Sequence, residues 1–209
     1  MQFALTAATE SRWLSDLPYE RRQQLLRWPD SAERHRSLIA SRLLLVGLQR
    51  FGLPASLASL RSLARAKPTL DLPVDFSISH CEGRIVCAVS TAGSVGIDVE
   101  AVAAAVTGRQ FTHYLDASER DWAGDDPRRF ATLWTCKEAV AKAHGGAGMA
   151  DLAQVRTNCH EGRASLHGRS WATMPLPVGR RHAACLASRP GAATVLEAVS
   201  RHRLLSLVS

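Results

Sequence analysis

The order of the apolar patterns predicts an α+β protein made of two similar halves. Helix-type patterns fill residues 19–52, and three strand-type runs follow between residues 74 and 100. A second series of helices and then strands runs from residue 116 to residue 199. The 209 residues are 46% hydrophobic, enough for one large domain or two of about 100 residues each. We therefore expect two α+β halves, residues 1–105 and 106–209, within one chain.

The first half is predicted to begin with an edge strand at residues 1–7, MQFALTA. Residues 19–28 and 31–52 then predict helices. In the second of these, Ser31 is the expected N-cap and Gly52 the expected stop. The runs VDFSISH, GRIVCAVS and SVGIDVE, which end at residues 80, 90 and 100, predict successive strands because turn residues separate them.

The second half repeats this order. Residues 116–122 and 126–146 predict helices, the latter with Pro127 at a first helical position and glycines at its end. Four short apolar runs after residue 150 predict strands, at residues 152–157, 163–168, 181–188 and 192–199.

The charge of the chain favours an anionic partner. The formal net charge is +7 and the isoelectric point is about 9.7. Nucleic acid, a membrane surface, a phosphorylated small molecule or an acidic protein would all suit this balance. The basic residues are scattered along the chain, so solvated helix faces and loops explain most of them.

The cysteines and the chain start predict a reducing location. The five cysteines are odd in number and form no C-x-x-C pair, so we expect free thiols and no disulfide framework or zinc site. The first ten residues lack the basic segment of a signal peptide. No run approaches the roughly 18 apolar residues of a membrane span. We expect a cytoplasmic protein.

Two carboxylates stand two residues apart inside the third apolar run. Residues i and i+2 of a strand point to the same face, so Asp98 and Glu100 would project side by side. Such acids repel each other unless a cation or a proton lies between them. A hard divalent ion such as Mg²⁺ suits oxygen ligands of this kind. Two solvated acids at a strand edge are the alternative interpretation.

The second long helix carries a comparable pattern. Trp134, Glu138 and Lys142 are spaced by four residues and share one helix face. They form either a surface Glu–Lys pair beside a packed tryptophan, or a third acid for the metal followed by a cation for a phosphate. Three weaker candidates precede them, namely a lysine before a proline, a histidine at a strand end and an arginine within an apolar helix face: Lys67, His80 and Arg36.

Taken in order, these motifs resemble the 4′-phosphopantetheinyl transferases, in particular the surfactin-synthetase-activating type. The resemblance runs from about residue 18 to residue 146 and comprises Arg36, A-K-P at 66–68, S-x-S-H at 77–80, G-I-D-V-E at 96–100 and W-x-x-K-E-A-x-x-K at 134–142. The last two blocks are the most specific.

The resemblance implies a fold, a reaction and partners. Enzymes of this family move the phosphopantetheine arm of coenzyme A to a serine of an apo carrier protein and release 3′,5′-ADP. Their fold is a pseudo-dimer of two similar α+β halves with the active site between them. The resemblance also implies a monomer. Its partners would be coenzyme A and an apo acyl or peptidyl carrier protein, with no nucleic acid and no membrane.

The resemblance also implies roles for individual residues. Asp98, Glu100 and Glu138 would hold Mg²⁺, or Mn²⁺, against the pyrophosphate. Glu138 would also take the proton of the carrier serine, and Lys142 would stabilise charge on the leaving phosphate. The implied coenzyme A contacts are Lys67 at the pyrophosphate or 3′-phosphate, and Arg36 and His80 at the 3′-phosphate.

Four positions depart from the family pattern or match it less closely. Glu119 matches an acid near the metal, but only by its local motif. Gly146 stands where many members carry lysine. Family lysines in the helix after Pro18 fall on Glu20 and Gln23, which leaves Arg21 or Arg22 as the nearest substitutes.

Two other functions use the same features. A Mg²⁺-dependent hydrolase of coenzyme A or nucleotide pyrophosphates would use the same acids with water as the nucleophile. A basic nucleic-acid-binding protein would explain the isoelectric point and would show steep salt dependence. The scattered arginines and the acidic trio argue against the latter.

Overall fold

The computed structural model describes residues 4–61, 66–103, 113–146 and 149–207. It confirms the α+β class. The expected boundary between the halves, near residue 105, lies outside the described residues. The described helices are α1 Ala7–Ser15, α2 Tyr19–Leu26, α3 Ser31–Arg50, α4 Ala117–Ala123, α5 Pro127–His144, α6 Met149–Leu152 and α7 Arg201–Ser206. The strands are β1 Asp75–Cys81, β2 Arg84–Ser90, β3 Val95–Ala101, β4 Arg156–Asn158, β5 Arg163–Leu166, β6 Arg169–Pro175 and β7 His182–Ser188.

The N-terminal segment is helical where an edge strand was expected. Thr6 is extended and its side chain accepts a hydrogen bond from the Thr9 amide, so it caps α1 at residue 7. The strand prediction was therefore wrong for the described residues 4–7. The start of α3 also differs by one residue, because Asp30 rather than Ser31 is the N-cap and accepts from the Ala32 amide.

Helix α3 and the hairpin β1–β2 form the first layer. The two strands pair antiparallel from Asp75 opposite Ser90 to Cys81 opposite Arg84. The apolar face of α3 packs on this hairpin and shares a core with α1 and α2.

Strand β3 belongs to the second sheet, whose order is β3-β7-β6-β5-β4. It pairs antiparallel with β7, although nearly the whole second half of the chain separates the two strands. Helix α5 crosses this sheet on β3 and β7. The second sheet thus also carries one long helix, and it includes β3, a strand from residues 1–105.

Strands β1 and β3 run side by side without a backbone ladder between them. Side chains from one face of β1 contact β3 instead: Asp75 Oδ2 accepts from the Val95 amide at 2.7 Å, and Ser77 Oγ accepts from the Ile97 amide at 3.0 Å. Ser79 donates to Asp98 Oδ1 at 2.7 Å. The alternating polar residues of D-F-S-I-S therefore join the two sheets at the place where the acids lie.

The C-terminal region departs most from expectation. Residues 169–175 form β6, which the sequence patterns did not single out, and residues 192–199 form no regular structure although a strand was expected. The chain instead returns to the first layer, where Leu204 and Leu207 are buried in the same core as α3. Buried Arg42 holds this return by donating to the Leu207 carbonyl at 2.7 Å.

The five cysteines are free in the structure, as expected. Among the described residues, no helix combines the length and the hydropathy that crossing a membrane requires.

Candidate functional site

Asp98 lies at the centre of the site and is buried, with 2% of its surface exposed. Its Oδ1 accepts hydrogen bonds from Ser79 at 2.7 Å and from the Lys142 ammonium at 2.6 Å. Its Oδ2 is also buried and has no hydrogen-bond partner among the described residues. Because a buried carboxylate oxygen is costly without a partner, this atom suits an additional cation or donor.

Two further carboxylates, those of Glu100 and Glu138, lie near Asp98. Burial raises the pKa of Glu100 to about 7, and the charges of Asp98 and Glu138 add to the effect. Burial also raises the pKa of Glu138, again with a contribution from Asp98. Strand β3 and helix α5 thus bring together the three acids that the sequence singled out, and each acid opposes ionisation of the others.

Lys142 supplies the counter-charge. Its ammonium is 2.6 Å from Asp98 Oδ1 and 3.9 Å from Glu138 Oε2. It reaches Asp98 because Lys142 lies one helical turn after Glu138 on the face of α5 that covers β3. The four predicted residues therefore form one group, with three acids against one base.

The group fits a hard cation by its chemistry. Within the described ranges, no three Asp, Glu, His or Cys side chains are arranged closely enough to form a ready metal site. Carboxylate oxygens are nevertheless the ligands that Mg²⁺ prefers. The unpartnered Oδ2 of Asp98 and the raised pKa values of Glu100 and Glu138 both show negative charge that one lysine does not balance.

A cavity of about 320 Å³ adjoins this group at Ser79 and His80. Arg21, Ser37 and Pro68 also line it. Arg21 donates to Ser37 Oγ at 2.8 Å from the helix that precedes α3. The rest of the lining is mostly apolar and includes Leu44, Phe76 and Ile78. A cavity that combines apolar side chains with an arginine, a histidine and serine hydroxyls, beside an acidic group that suits a metal, can accept a ligand with an apolar part and a phosphate.

Arg36 and His80 come together at the edge of this cavity. Both contact Glu33: Arg36 donates to Glu33 Oε2, and His80 Nδ1 is 3.7 Å from Glu33 Oε1. Burial lowers the pKa of His80, and the Arg36 charge lowers it further against the opposing effect of Glu33. The structure thus places the two predicted 3′-phosphate residues next to each other and gives both a shared acidic partner.

Lys67 is occupied by structural partners. It donates to Asp75 and to the Val95 carbonyl, the latter at 2.6 Å. Burial lowers its pKa, opposed by its hydrogen bond with Asp75. In this arrangement Lys67 fastens the start of β3 to β1, while its neighbour Pro68 lines the cavity. A pyrophosphate contact from Lys67 remains a prediction.

Glu119 lies in a separate buried network. Its carboxylate is 2.8 Å from the Lys137 ammonium and accepts from the Thr157 amide, the Thr157 hydroxyl and the Asp116 amide. Lys137 also donates to the Val155 carbonyl at 2.5 Å. The structure therefore gives Glu119 the role of joining α4, α5 and β4 rather than a place among the three acids.

Sequence reasoning missed Ser79 in the site and the separate buried network of Lys137 next to it. Ser79 binds Asp98 directly, and its spacing with Ser77 and Asp75 was the available signal, since one face of a strand repeats every second residue. Lys137 stands inside the same motif as Glu138, and its complete burial could not be read from a helix pattern that has charged residues on two faces.

The sequence of this chain is similar to those of known proteins. A sequence model of the 4′-phosphopantetheinyl transferase superfamily matches residues 94–178. The chain is 30% identical over 139 residues to the 4′-phosphopantetheinyl transferase gsp of Aneurinibacillus migulanus, an alignment that covers 63% of this chain and 57% of that relative. This chain therefore matches little more than half the length of the curated relative.

One solved structure is similar to part of this chain. It is Helicobacter pylori holo-[acyl-carrier-protein] synthase in complex with coenzyme A, with a TM-score of 0.38 and 18% sequence identity. The superposition covers 44% of this chain and 96% of that one, and it is too distant to bear on the site. Residues 94–178, the part of the chain that is similar to the 4′-phosphopantetheinyl transferase superfamily, contain Asp98, Glu100, Glu138 and Lys142.

Proposed function

We propose that this protein transfers the 4′-phosphopantetheine arm of coenzyme A to a serine of an apo acyl or peptidyl carrier protein, with Mg²⁺, and releases 3′,5′-ADP. The observation that carries the proposal is the meeting of three buried or half-buried carboxylates and Lys142 where α5 crosses β3, beside a cavity lined by Arg21 and His80. The name of the relative from Aneurinibacillus migulanus supports the same reaction.

Asp98, Glu100 and Glu138 are the residues that would hold Mg²⁺. When bound, the ion would neutralise negative charge on the pyrophosphate and on the leaving group. The oxygen donors, the unpartnered Asp98 Oδ2 and the mutual repulsion of the acids support this assignment. Mn²⁺ has the same ligand preference and is expected to substitute.

The other roles belong to side chains of the chain itself. Glu138 has a raised pKa, which brings this carboxylate closer to the range in which a general base works well at neutral pH. It would accept the proton of the carrier serine. Lys142 would place its positive charge beside the leaving phosphate, since phosphoryl transfer depends on positioning and charge neutralisation.

The cavity would hold the nucleotide part of coenzyme A. Arg21, Arg36 and His80 provide basic groups for the 3′-phosphate, and arginine is well suited to phosphate because its donors are planar and paired. The net charge of +7 would steer an acidic carrier protein toward the surface. We further propose a monomer, because one chain supplies every residue of this site, and a cytoplasmic location, which the free cysteines support.

The direct test is incubation with apo carriers from fatty-acid, polyketide and nonribosomal-peptide pathways, with coenzyme A and Mg²⁺, followed by intact-mass measurement. At least one carrier should gain one phosphopantetheine arm. EDTA should abolish the gain, and added Mg²⁺ should restore it. A carrier whose acceptor serine is alanine is the control. The proposal fails if no carrier gains mass, and release of 3′,5′-ADP without a carrier would favour the hydrolase.

A further inference from the structure

Three cysteines from separate elements form a cluster beneath the acidic group. The Sγ atoms of Cys136 on α5 and Cys185 on β7 are 2.9 Å apart. Cys159, which directly follows β4, lies next to Cys136, and this neighbour and burial raise the pKa of the Cys159 thiol. All three thiols are free. We call Cys136, Cys159 and Cys185 the thiol cluster; the proposed phosphopantetheine transfer uses none of them.

The members of the thiol cluster differ in access to solvent. Cys136 and Cys185 are 2% and 0% exposed and belong to the core between α5 and the second sheet. Cys159 is only half-buried, packed at the edge of the neighbouring core around Phe130. A small solute can therefore reach Cys159 before it reaches the other two.

The thiol cluster is directly connected to the acids. Cys185 is the cross-strand partner of Asp98 in the β3–β7 ladder, so the two side chains share one face of the sheet. Cys136 precedes Glu138 by two residues on α5. A bond between Cys136 and Cys185 would therefore link the helix that carries Glu138 and Lys142 to the strand beside Asp98.

We propose that the thiol cluster is a site of reversible oxidation, in which a hydroperoxide enters at Cys159 and a Cys136–Cys185 disulfide is the product. We also propose that this disulfide slows the reaction at the neighbouring acids, a consequence that rests on the proposed function. The formation of the disulfide itself does not depend on what the site catalyses.

The chemistry balances in three steps. The Cys159 sulfur attacks a peroxide oxygen, so an S–O bond forms, the O–O bond breaks and the thiol proton leaves with the other oxygen as water or alcohol. The Cys136 sulfur then attacks the sulfenic sulfur of Cys159, forming an S–S bond and releasing water. Finally the Cys185 sulfur attacks Cys136, and its proton passes to Cys159, which leaves as a thiol. Two thiols are oxidised and one peroxide is reduced.

Geometry sets the expected size of the effect. A disulfide has an S–S bond of about 2.0 Å, so Cys136 and Cys185 must approach each other from their present 2.9 Å. The covalent bond would then fix α5 against β7 and alter the packing next to Asp98 and Glu138. A misplacement of catalytic groups by about 1 Å costs roughly 10²-fold in rate. We expect at least a tenfold loss of transfer in the disulfide form.

Peptide mapping tests the oxidation without reference to activity. The protein is treated with hydrogen peroxide, the remaining thiols are alkylated, and trypsin is added. Trypsin places the three cysteines on different peptides, residues 130–137, 157–163 and 182–201. The expected product is a linked pair of the first and last peptides, which dithiothreitol separates. Full alkylation of Cys136 and Cys185, or a linkage confined to Cys81 or Cys87, would overturn the proposal.

Matched variants separate the entry thiol from the bonded pair. Cys159→Ser should slow formation of the linkage, while Cys185→Ala should abolish it. Cys87→Ala, on β2 in the other sheet, is the control and should behave like the unsubstituted protein. Equal rates of linkage with and without Cys159 would contradict its role as the entry point. The mapping of the unsubstituted protein shows by itself whether the disulfide forms, so the test holds even if a core variant folds poorly.

Activity measurements then distinguish the two proposals. Peroxide should slow transfer by the unsubstituted protein and by Cys87→Ala, but not by Cys136→Ala, which can form neither disulfide, and dithiothreitol should restore it. If the linkage forms and reduced protein modifies no carrier, the proposed function fails while the oxidation stands. If reduced protein is active and no linkage forms, the oxidation proposal fails alone. Linkage without any change in rate would refute the coupling to the acids.

Discussion

Glu138 combines two roles at the residue scale, and its replacement should separate chemistry from folding. Glu138→Gln removes a metal ligand and the proton acceptor together, so kcat should fall by about 10²–10⁴-fold. The midpoint of thermal unfolding should not fall, because burial opposes the charge that this substitution removes and glutamine has the same shape. The measurement is carrier modification under single-turnover conditions. Glu161→Gln, at an exposed acid, is the control; near-normal kcat in Glu138→Gln would exclude Glu138 from the mechanism.

Glu100 should make stability depend on pH in the absence of metal. Its pKa is raised from 4.5 to about 7 by burial and by its acidic neighbours. The folded state therefore holds this proton more tightly than the unfolded state does, and the associated stability is lost as pH rises from about 4.5 to about 7. Glu100→Gln cannot lose that proton.

The thermal unfolding midpoint of Glu100→Gln should therefore exceed that of the unsubstituted protein by an amount that grows between about pH 5 and pH 8, the window set by this shift. Added Mg²⁺ should shrink the difference at the higher pH, because a bound cation favours the ionised carboxylate. A difference that is the same at both pH values would show that Glu100 has an ordinary pKa.

The two adjacent arginines of α2 provide a test of the cavity. Arg21 lines it, whereas Arg22 donates to the Leu17 carbonyl at 3.4 Å. Hydrogen bonds to charged groups contribute about 1.5–3 kcal/mol, so Arg21→Ala should raise KM for coenzyme A by roughly 10- to 100-fold. Arg22→Ala is the matched control.

With dephospho-coenzyme A, which lacks the 3′-phosphate, Arg21→Ala should change KM little. The two substrates and two proteins form a cycle whose coupling term isolates the contact. A coupling near zero would leave the 3′-phosphate to Arg36 and His80, which the same cycle can examine.

At the scale of elements, the site depends on how closely α5 approaches β3. A Cβ at Gly96 would lie 1.9 Å from the Ala139 carbonyl oxygen and 2.6 Å from the Ala143 nitrogen. The backbone of α5 therefore rests directly on the strand that carries Asp98 and Glu100. Glycine at this position is required by the packing of two backbones rather than by a turn.

Gly96→Ala should destabilise the protein by about 3 kcal/mol, the upper end for an overpacked core, because backbone atoms must move. Transfer should fall further than the folded fraction does, since the displacement separates Glu138 from Asp98. Denaturant unfolding and specific activity per folded molecule measure the two effects. Ser94→Ala, just before the same strand, is the control. Normal stability in Gly96→Ala would mean that α5 is free to shift.

At the scale of the whole molecule, the C-terminal residues stabilise the layer formed by α3 and the β1–β2 hairpin. Arg42 is almost completely buried, is 2.7 Å from Asp16 Oδ2 and donates to the Leu207 carbonyl. Its guanidinium also lies 5.1 Å from the centre of the Trp13 ring. One side chain thus joins α3 to the N-terminal helices and to the segment that returns from the second sheet.

Arg42→Met should lower the free energy of unfolding by about 3 kcal/mol, because it leaves Asp16 and a buried carbonyl without their donor. Arg12→Met is the matched control, since Arg12 donates to the Leu205 carbonyl at an exposed position; it should cost less than about 1 kcal/mol. Urea unfolding measures both. Equal losses of unfolding free energy from the two substitutions would show that the buried Arg42 contact stabilises the fold no more than the exposed Arg12 contact does.

The sequence determined the elements whose patterns are local. The apolar spacing of α3 and α5 and the alternation of β1, β2 and β3 follow from the repeats of helix and strand, so their positions were predicted within a residue or two. The same patterns indicated Asp98, Glu100, Glu138 and Lys142, because strand and helix periodicity place each pair on one face. The packing of α5 on β3 then brings the two pairs of residues together.

Tertiary structure alone decided which elements meet. Nothing in V-G-I-D-V-E states that β3 pairs with the distant β7 and only touches β1 through side chains, because strand pairing is a long-range choice among edges of similar composition. Residues 192–199 show the same limit: their strand-like pattern found no partner strand among the described residues, and the chain packs on α3 instead. The contacts of Lys67, the burial of Lys137 and the approach of Cys136 to Cys185 follow from that pairing, since each joins residues from elements that local periodicity cannot relate.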